Sequence, residues 1–160
     1  MMTTNKTFTN VNTQLESLLQ ELTYPLNEGE ETGTPVFKSV LVGFPESEFR
    51  GFTFPLAICY VKGATYDDTF GISNRPKYIN SVIGVVVTGD TRTRYEKITE
   101  IMDLIQYKFE YDNNWIKLNN TVRRTFVTDS ALTIMPTNND LASVAIFTLR
   151  HHVFKVNNGG

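Results

Sequence analysis

INSVIGVVVTGDTRTRYEKITEIMDLIQYKF, residues 79–109, sets two periodicities back to back. Ile79 to Thr88 is a short run rich in β-branched residues, the composition of a strand with little contact with water. Gly89-Asp90 interrupts it. Tyr95, Ile98, Ile101, Met102, Ile105 and Phe109 then recur at helical spacing over about four turns, so one stripe of this helix is apolar. Thr93 and Glu96 stand where a capping box would satisfy its first backbone N–H groups. A strand that feeds a one-sided helix predicts a sheet on which the helix lays its stripe.

Working outward, the chain upstream holds two more strand candidates, Val36 to Val42 and Phe54 to Val61. A first amphipathic helix precedes them: Thr13 and Glu16 form a capping box, and Val11, Leu15, Leu18, Leu19 and Leu22 share a stripe that Tyr24-Pro25 ends. Downstream, after an Asp112-Asn113-Asn114 loop, a strand lies within Val122 to Met135, bent near Asp129-Ser130. Another runs from Leu141 to about Val156. Pro136 to Asp140 reads as the hairpin connection between them. The order is α-β-β-β-α-β-β. Short links favour antiparallel neighbours. The expected fold is therefore α+β, a mostly antiparallel sheet of about five strands with two helices on one face and the other face partly uncovered. One domain should span 1–160, with a polar N-terminal arm over 1–12 and a flexible tail over 157–160.

Bulk composition excludes several functions. At 160 residues, with 41% hydrophobic and 20% charged residues, the chain suits a globular domain that buries about 70% of its unfolded surface. A net charge of −2 argues against a dedicated nucleic-acid binder, and Trp115 with scattered tyrosines forms no stacking platform beside a basic stripe. Cys59 stands alone in an apolar run, which excludes an internal disulfide and suits a buried thiol. No apolar stretch reaches the length of a membrane helix, and Met1 to Thr13 lacks a signal-peptide core; a reducing, cytosol-like compartment is expected.

The candidates for chemistry are thin. His151 and His152 are the two histidines, and adjacent strand positions send them to opposite faces, so they should not chelate one metal. Asp67-Asp68 lacks the alternating ligands of a calcium loop. Val87 to Asp90 with Arg92 and Arg94 imitates a phosphate-binding turn, but it lacks the glycine-rich loop and Asp90 would repel the phosphate; a turn with a helix N-cap fits better. Glu110 and Asp112 mark a helix end, and Ser130 beside Asp129 has no nucleophile elbow around it. No catalytic site, metal or cofactor is expected.

Two other features carry more. The polar connection Gly63 to Lys77 is long for a compact domain, and Tyr66, Asp67, Asp68, Phe70, Asn74 and Arg75 make it a candidate docking loop. Charge is also uneven. Residues 1–50 carry seven carboxylates against three cations, a net of −4, whereas residues from Asn113 onward carry two against five, a net of +3. Head-to-tail association would use this asymmetry, with Glu28, Glu30 and Glu31 of one copy against Arg123, Arg124 and Arg150 of the next.

Several stretches together resemble the tail terminator proteins (tail completion or tail-to-head joining proteins) of long-tailed bacteriophages. They are Phe37 to Val40 before Gly43, Phe54-Pro55 leading into Leu56 to Tyr60, and Val82 to Val87. The helix Tyr95 to Phe109 before an Asn/Asp turn follows, and then the closing strand through Ala145 to Leu149. The likeness is one of hydrophobic pattern and topology from about Leu15 to Val156, and it departs from the family at the polar arm and the long 63–77 connection. The resemblance implies a structural virion protein without enzymatic activity. It would form a homo-oligomeric ring, usually a hexamer, that caps the tail tube and meets the head–tail connector protein. DNA would pass through the lumen unread, and no membrane would be involved. Another neck adaptor or tail tube protein is the nearest alternative, and a small cytosolic enzyme or ligand-binding domain is a further one.

Overall fold

The computed structural model describes residues 6–44, 51–66, 75–136 and 141–154. Its elements are α1 (Thr7–Glu21), β1 (Ser39–Val42), β2 (Leu56–Tyr66), β3 (Pro76–Thr88), α2 (Thr91–Tyr111), α3 (Asn113–Ile116), β4 (Arg124–Pro136) and β5 (Leu141–His152). This is the expected α+β order with one extra turn of helix, α3. The strands form one sheet in the order β1-β2-β3-β5-β4. All neighbours are antiparallel except β1 and β2, which run parallel. That pair corrects the inference from short links: residues 43–55 are enough to carry the chain back along the sheet before β2 begins.

Register explains the two faces. Ile83, midway along β3, stands opposite Cys59 on one side and Phe147 on the other; Val85 stands opposite Ala57 and Ala145. These side chains point at the helices. They join Val11, Leu15, Leu18 and Leu19 of α1 and Ile98, Ile101, Ile105 and Phe109 of α2 in one buried cluster. The residues between them point the other way. Leu56, Ile58, Val86, Ala142 and Val144 form a smaller cluster against which Phe52, Phe54 and Tyr60 pack, so the β1–β2 connection covers part of that second face.

Several boundaries differ from the sequence reading. α1 begins at Thr7, inside the stretch read as a polar arm, and its N-cap Lys6 makes no side-chain cap. Val11 is fully buried, and tertiary burial of this kind extends a helix past the point where capping signals would start it. The Thr13 hydroxyl donates back to the Thr9 carbonyl at 2.9 Å instead of capping. Residues 1–5 and the 157–160 tail lie outside the described residues. In α2 the cap is Asp90, whose carboxylate accepts from the Thr93 N–H at 3.0 Å and the Thr93 hydroxyl at 2.8 Å. Glu96 pairs with Arg92 rather than closing a capping box. Tyr95 is 58% exposed; Arg94, one position earlier, is buried in its place. Arg94 donates to the Gly89 carbonyl at 3.0 Å, the Leu141 carbonyl at 3.3 Å and the Ser143 hydroxyl at 2.9 Å, tying the start of α2 to the start of β5.

The loop read as Gly63 to Lys77 is shorter than expected. β2 continues to Tyr66 and β3 starts at Pro76, paired across register shifts after Val61 and after Thr65. Backbone pairing therefore overrides the polar composition at both ends. β4 has a bulge between Val127 and Asp129, close to the expected bend. The Asp112-Asn113-Asn114 loop opens α3 instead, with Asp112 accepting from the Asn114 N–H at 2.9 Å. That turn buries Trp115 edge-on against Phe109, ring centroids 5.2 Å apart. Leu118, Asn119 and Asn120 follow in left-handed backbone, and Leu118 is held there by complete burial.

Candidate functional site

Besides the Arg94–Ser143 contact, the described core holds a histidine-centred polar network. His151 is buried in β5 between two hydroxyls, Thr125 of β4 at 2.7 Å from Nδ1 and Ser81 of β3 at 2.5 Å from Nε2. Whichever ring nitrogen carries the proton donates to its hydroxyl, and the other accepts. Burial pushes the imidazole down to about 3, so at neutral pH it is uncharged. The Ser81–His151 pair has the elements of an activated nucleophile, but both residues are fully buried and face the helical layer, where no substrate reaches. It is a hydrogen-bonded bridge that ties three strands together. His152, as strand alternation requires, lies on the opposite face.

The other sequence candidates separate. Cys59 is buried, and desolvation, with a smaller contribution from Glu16, pushes its thiol up to about 12. Hydrogen bonds from Thr93 hold the Asp90 carboxyl below its ordinary value while it occupies the α2 N-terminus. With Arg94 turned into the backbone and Arg92 on Glu96, the phosphate-like turn offers no cation to an anion. Glu110 accepts from Gln106 at 2.8 Å, and Lys108 pairs with Asp112 at 3.2 Å, the salt bridge of a helix end. Among the described residues no three His, Cys, Asp or Glu side chains gather as metal ligands, and no helix is long and apolar enough to cross a membrane. A shallow polar cleft of about 160 Å³ lies where α1 ends beside Lys108, Asp112 and Trp115.

Of the candidate docking loop, Tyr66 is exposed at the end of β2 and Arg75 precedes β3; Asp67, Asp68, Phe70 and Asn74 lie outside the described residues. Of the candidate interface charges, Glu28, Glu30 and Glu31 are exposed on the loop after α1; Arg123, Arg124 and Arg150 are exposed as well. Arg123 precedes β4, and its N–H donates to the His152 carbonyl at 2.8 Å.

Arg124 and Arg150 belong to a group that sequence spacing did not assemble. Tyr78, His152 and Arg124 form one rung across β3, β5 and β4, and Asn80, Arg150 and Phe126 form the next. Opposed residues share a face, so all six project from the side of the sheet without helices. The Arg150 guanidinium lies 5.2 Å from the Tyr78 ring centroid, the Arg124 guanidinium 5.0 Å from that of Phe126, and the His152 ring 5.2 Å from that of Tyr78. Lys77 adds its ammonium at 5.5 Å from Tyr78. The alternation Tyr78/Asn80, Arg124/Phe126 and Arg150/His152 was visible in the sequence, but only the register brings the three pairs together. Along the same face, Ile146 and Phe44 are exposed, the latter edge-on to Tyr60 at 6.3 Å.

No protein-family model matches this chain, and no curated protein matches it.

Proposed function

We propose that the chain is a structural virion subunit, a ring-forming tail terminator that caps the tail tube of a long-tailed bacteriophage and joins it to the head–tail connector. The observation that carries this reading is the uncovered half of the sheet. Helices bury one face, the β1–β2 connection covers part of the other, and the β3–β5–β4 half of that second face is left with Ile146, Phe126 and two arginines exposed. A second copy would cover this surface at low cost, and a head-to-tail contact of that kind closes into a ring when its rotation permits. The polar hydrogen bonds of the core are internal, which suits a subunit whose work is done by surfaces and not by a catalytic centre. In this reading the stretch Gly63 to Lys77 serves to contact the tail tube or the adjacent subunit, and DNA passes through the lumen without base contacts.

Native mass measurement of the purified protein, with negative-stain imaging, tests the reading. A single closed ring of fixed mass, a hexamer by the family resemblance, is the expected result. Open-ended tubes would assign the chain to the tail tube instead, and a monomer at all concentrations would contradict ring formation.

A further inference from the structure

We propose that the cluster of Arg124, Arg150, Tyr78, Phe126 and His152 is the receptor for the acidic loop, residues 28–31, of a second copy of the chain. The inference rests on the ring reading above and gives that ring a specific contact. Among the described residues neither guanidinium has a carboxylate within 4.0 Å. Asp129, one rung along the same face opposite Thr148, makes no ion pair with either. Each guanidinium is instead associated with an aromatic ring, a cation–π arrangement that fixes its position and leaves N–H groups available for a carboxylate.

The same stacking decides between anions. A nucleic-acid strand on a sheet would place bases on the rings. Here the chain's own cations already approach the Tyr78 and Phe126 rings, so the surface is better arranged for carboxylates than for bases.

The complementary group is on the chain itself. Glu28, Glu30 and Glu31 are exposed in a turn around Gly29, whose φ of 89° favours glycine; the Glu30 N–H bonds the Asn27 carbonyl, and the Asn27 side chain donates to Glu30 at 3.0 Å. The ends of this loop are tied to the helical side of the molecule. The Tyr24 N–H donates to the Thr34 carbonyl at 2.9 Å, Thr23 bridges Pro35, and Tyr24 packs against the helix-side core with Lys97 of α2 4.5 Å from its ring centroid. Acidic loop and basic cluster thus lie on opposite faces of the sheet. With the loop anchored on the helical side and the cluster on the other, the loop of a neighbour is its partner in this proposal, and joining two different surfaces is the head-to-tail contact a ring requires.

Charge reversal tests this. Arg124→Glu with Arg150→Glu in one variant, and Glu28→Lys with Glu30→Lys and Glu31→Lys in another, should each remain folded by thermal melting. Each should self-associate at least about tenfold more weakly in sedimentation. An equimolar mixture of the two should recover assemblies, because every contact then pairs opposite charges. Wild-type assemblies should also loosen as salt rises from about 0.05 to 0.5 M, a readout independent of any variant. Rings that form normally in both variants and ignore salt would overturn this contact while leaving the ring reading intact. A wild-type monomer would overturn both. Binding of a labelled single-stranded oligonucleotide that is lost in the arginine variant, with assembly unchanged, would reassign the cluster to a polyanion.

Discussion

Ile146 and Phe147 are neighbours in β5 and stand in different environments. Phe147 points into the helical layer and is 1% exposed; Ile146 points to the other face and is 37% exposed. The contrast extends across the sheet. On the helical side, α1 and α2 complete one continuous core, whereas on the other side covered apolar residues give way to exposed side chains and stacked cations. The helical face therefore carries the larger core, whereas the β3–β5–β4 half of the other face is exposed. The division predicts that the two faces respond oppositely to substitution.

The largest effects belong to the helical side. Phe147→Ala should cost about 3–5 kcal/mol in denaturant unfolding, and Ile98→Ala or Ile105→Ala about 2–5 kcal/mol, because neighbours anchored on several elements collapse poorly into the cavity. Losses below about 1 kcal/mol at all three sites would break the comparison.

His151 sharpens it through pH. Its folded value, about 3, lies below its ordinary 6.5, so the unfolded chain binds the proton more readily. Stability from this group is complete above about pH 6.5 and is lost progressively as pH falls towards 3, on the order of 4 kcal/mol by the end of that window. Urea titrations at several pH values should show wild type losing more stability over this range than His151→Gln, whose slope lacks the His151 contribution. Parallel slopes would remove His151 from the core network.

Arg94 comes next. Arg94→Met should lower stability by about 1–3 kcal/mol, since the Ser143 hydroxyl and two carbonyls lose their donor. The smallest effect is expected on the uncovered face, where Ile146→Ala should cost about 1 kcal/mol or less in the isolated chain.

The order of elements was legible because it follows from periodicity: the stripe Ile98, Ile101, Ile105 and Phe109 is buried as its spacing requires. The helix stripe did not reveal that Arg94 would displace Tyr95, because that exchange depends on carbonyls of Gly89 and Leu141, which meet only in the folded chain. The start of α1 was misplaced for a similar reason: Val11 gains its burial from distant strands. The parallel β1–β2 pair was hidden because hydrophobic alternation carries no direction. At the candidate site, the charge imbalance and both arginines were readable. The aromatic partners were not, since Tyr78 and Phe126 are 48 positions apart in the chain and meet only through the β3–β5–β4 register.

The most direct test of the division between faces places a charge on the uncovered one. Ile146→Arg should unfold within about 1 kcal/mol of wild type, since the position is partly exposed in the isolated chain. In sedimentation velocity the wild type should run as one closed oligomer and Ile146→Arg as a folded monomer. A variant that keeps both its fold and the wild-type oligomer would contradict the assignment of this face to assembly.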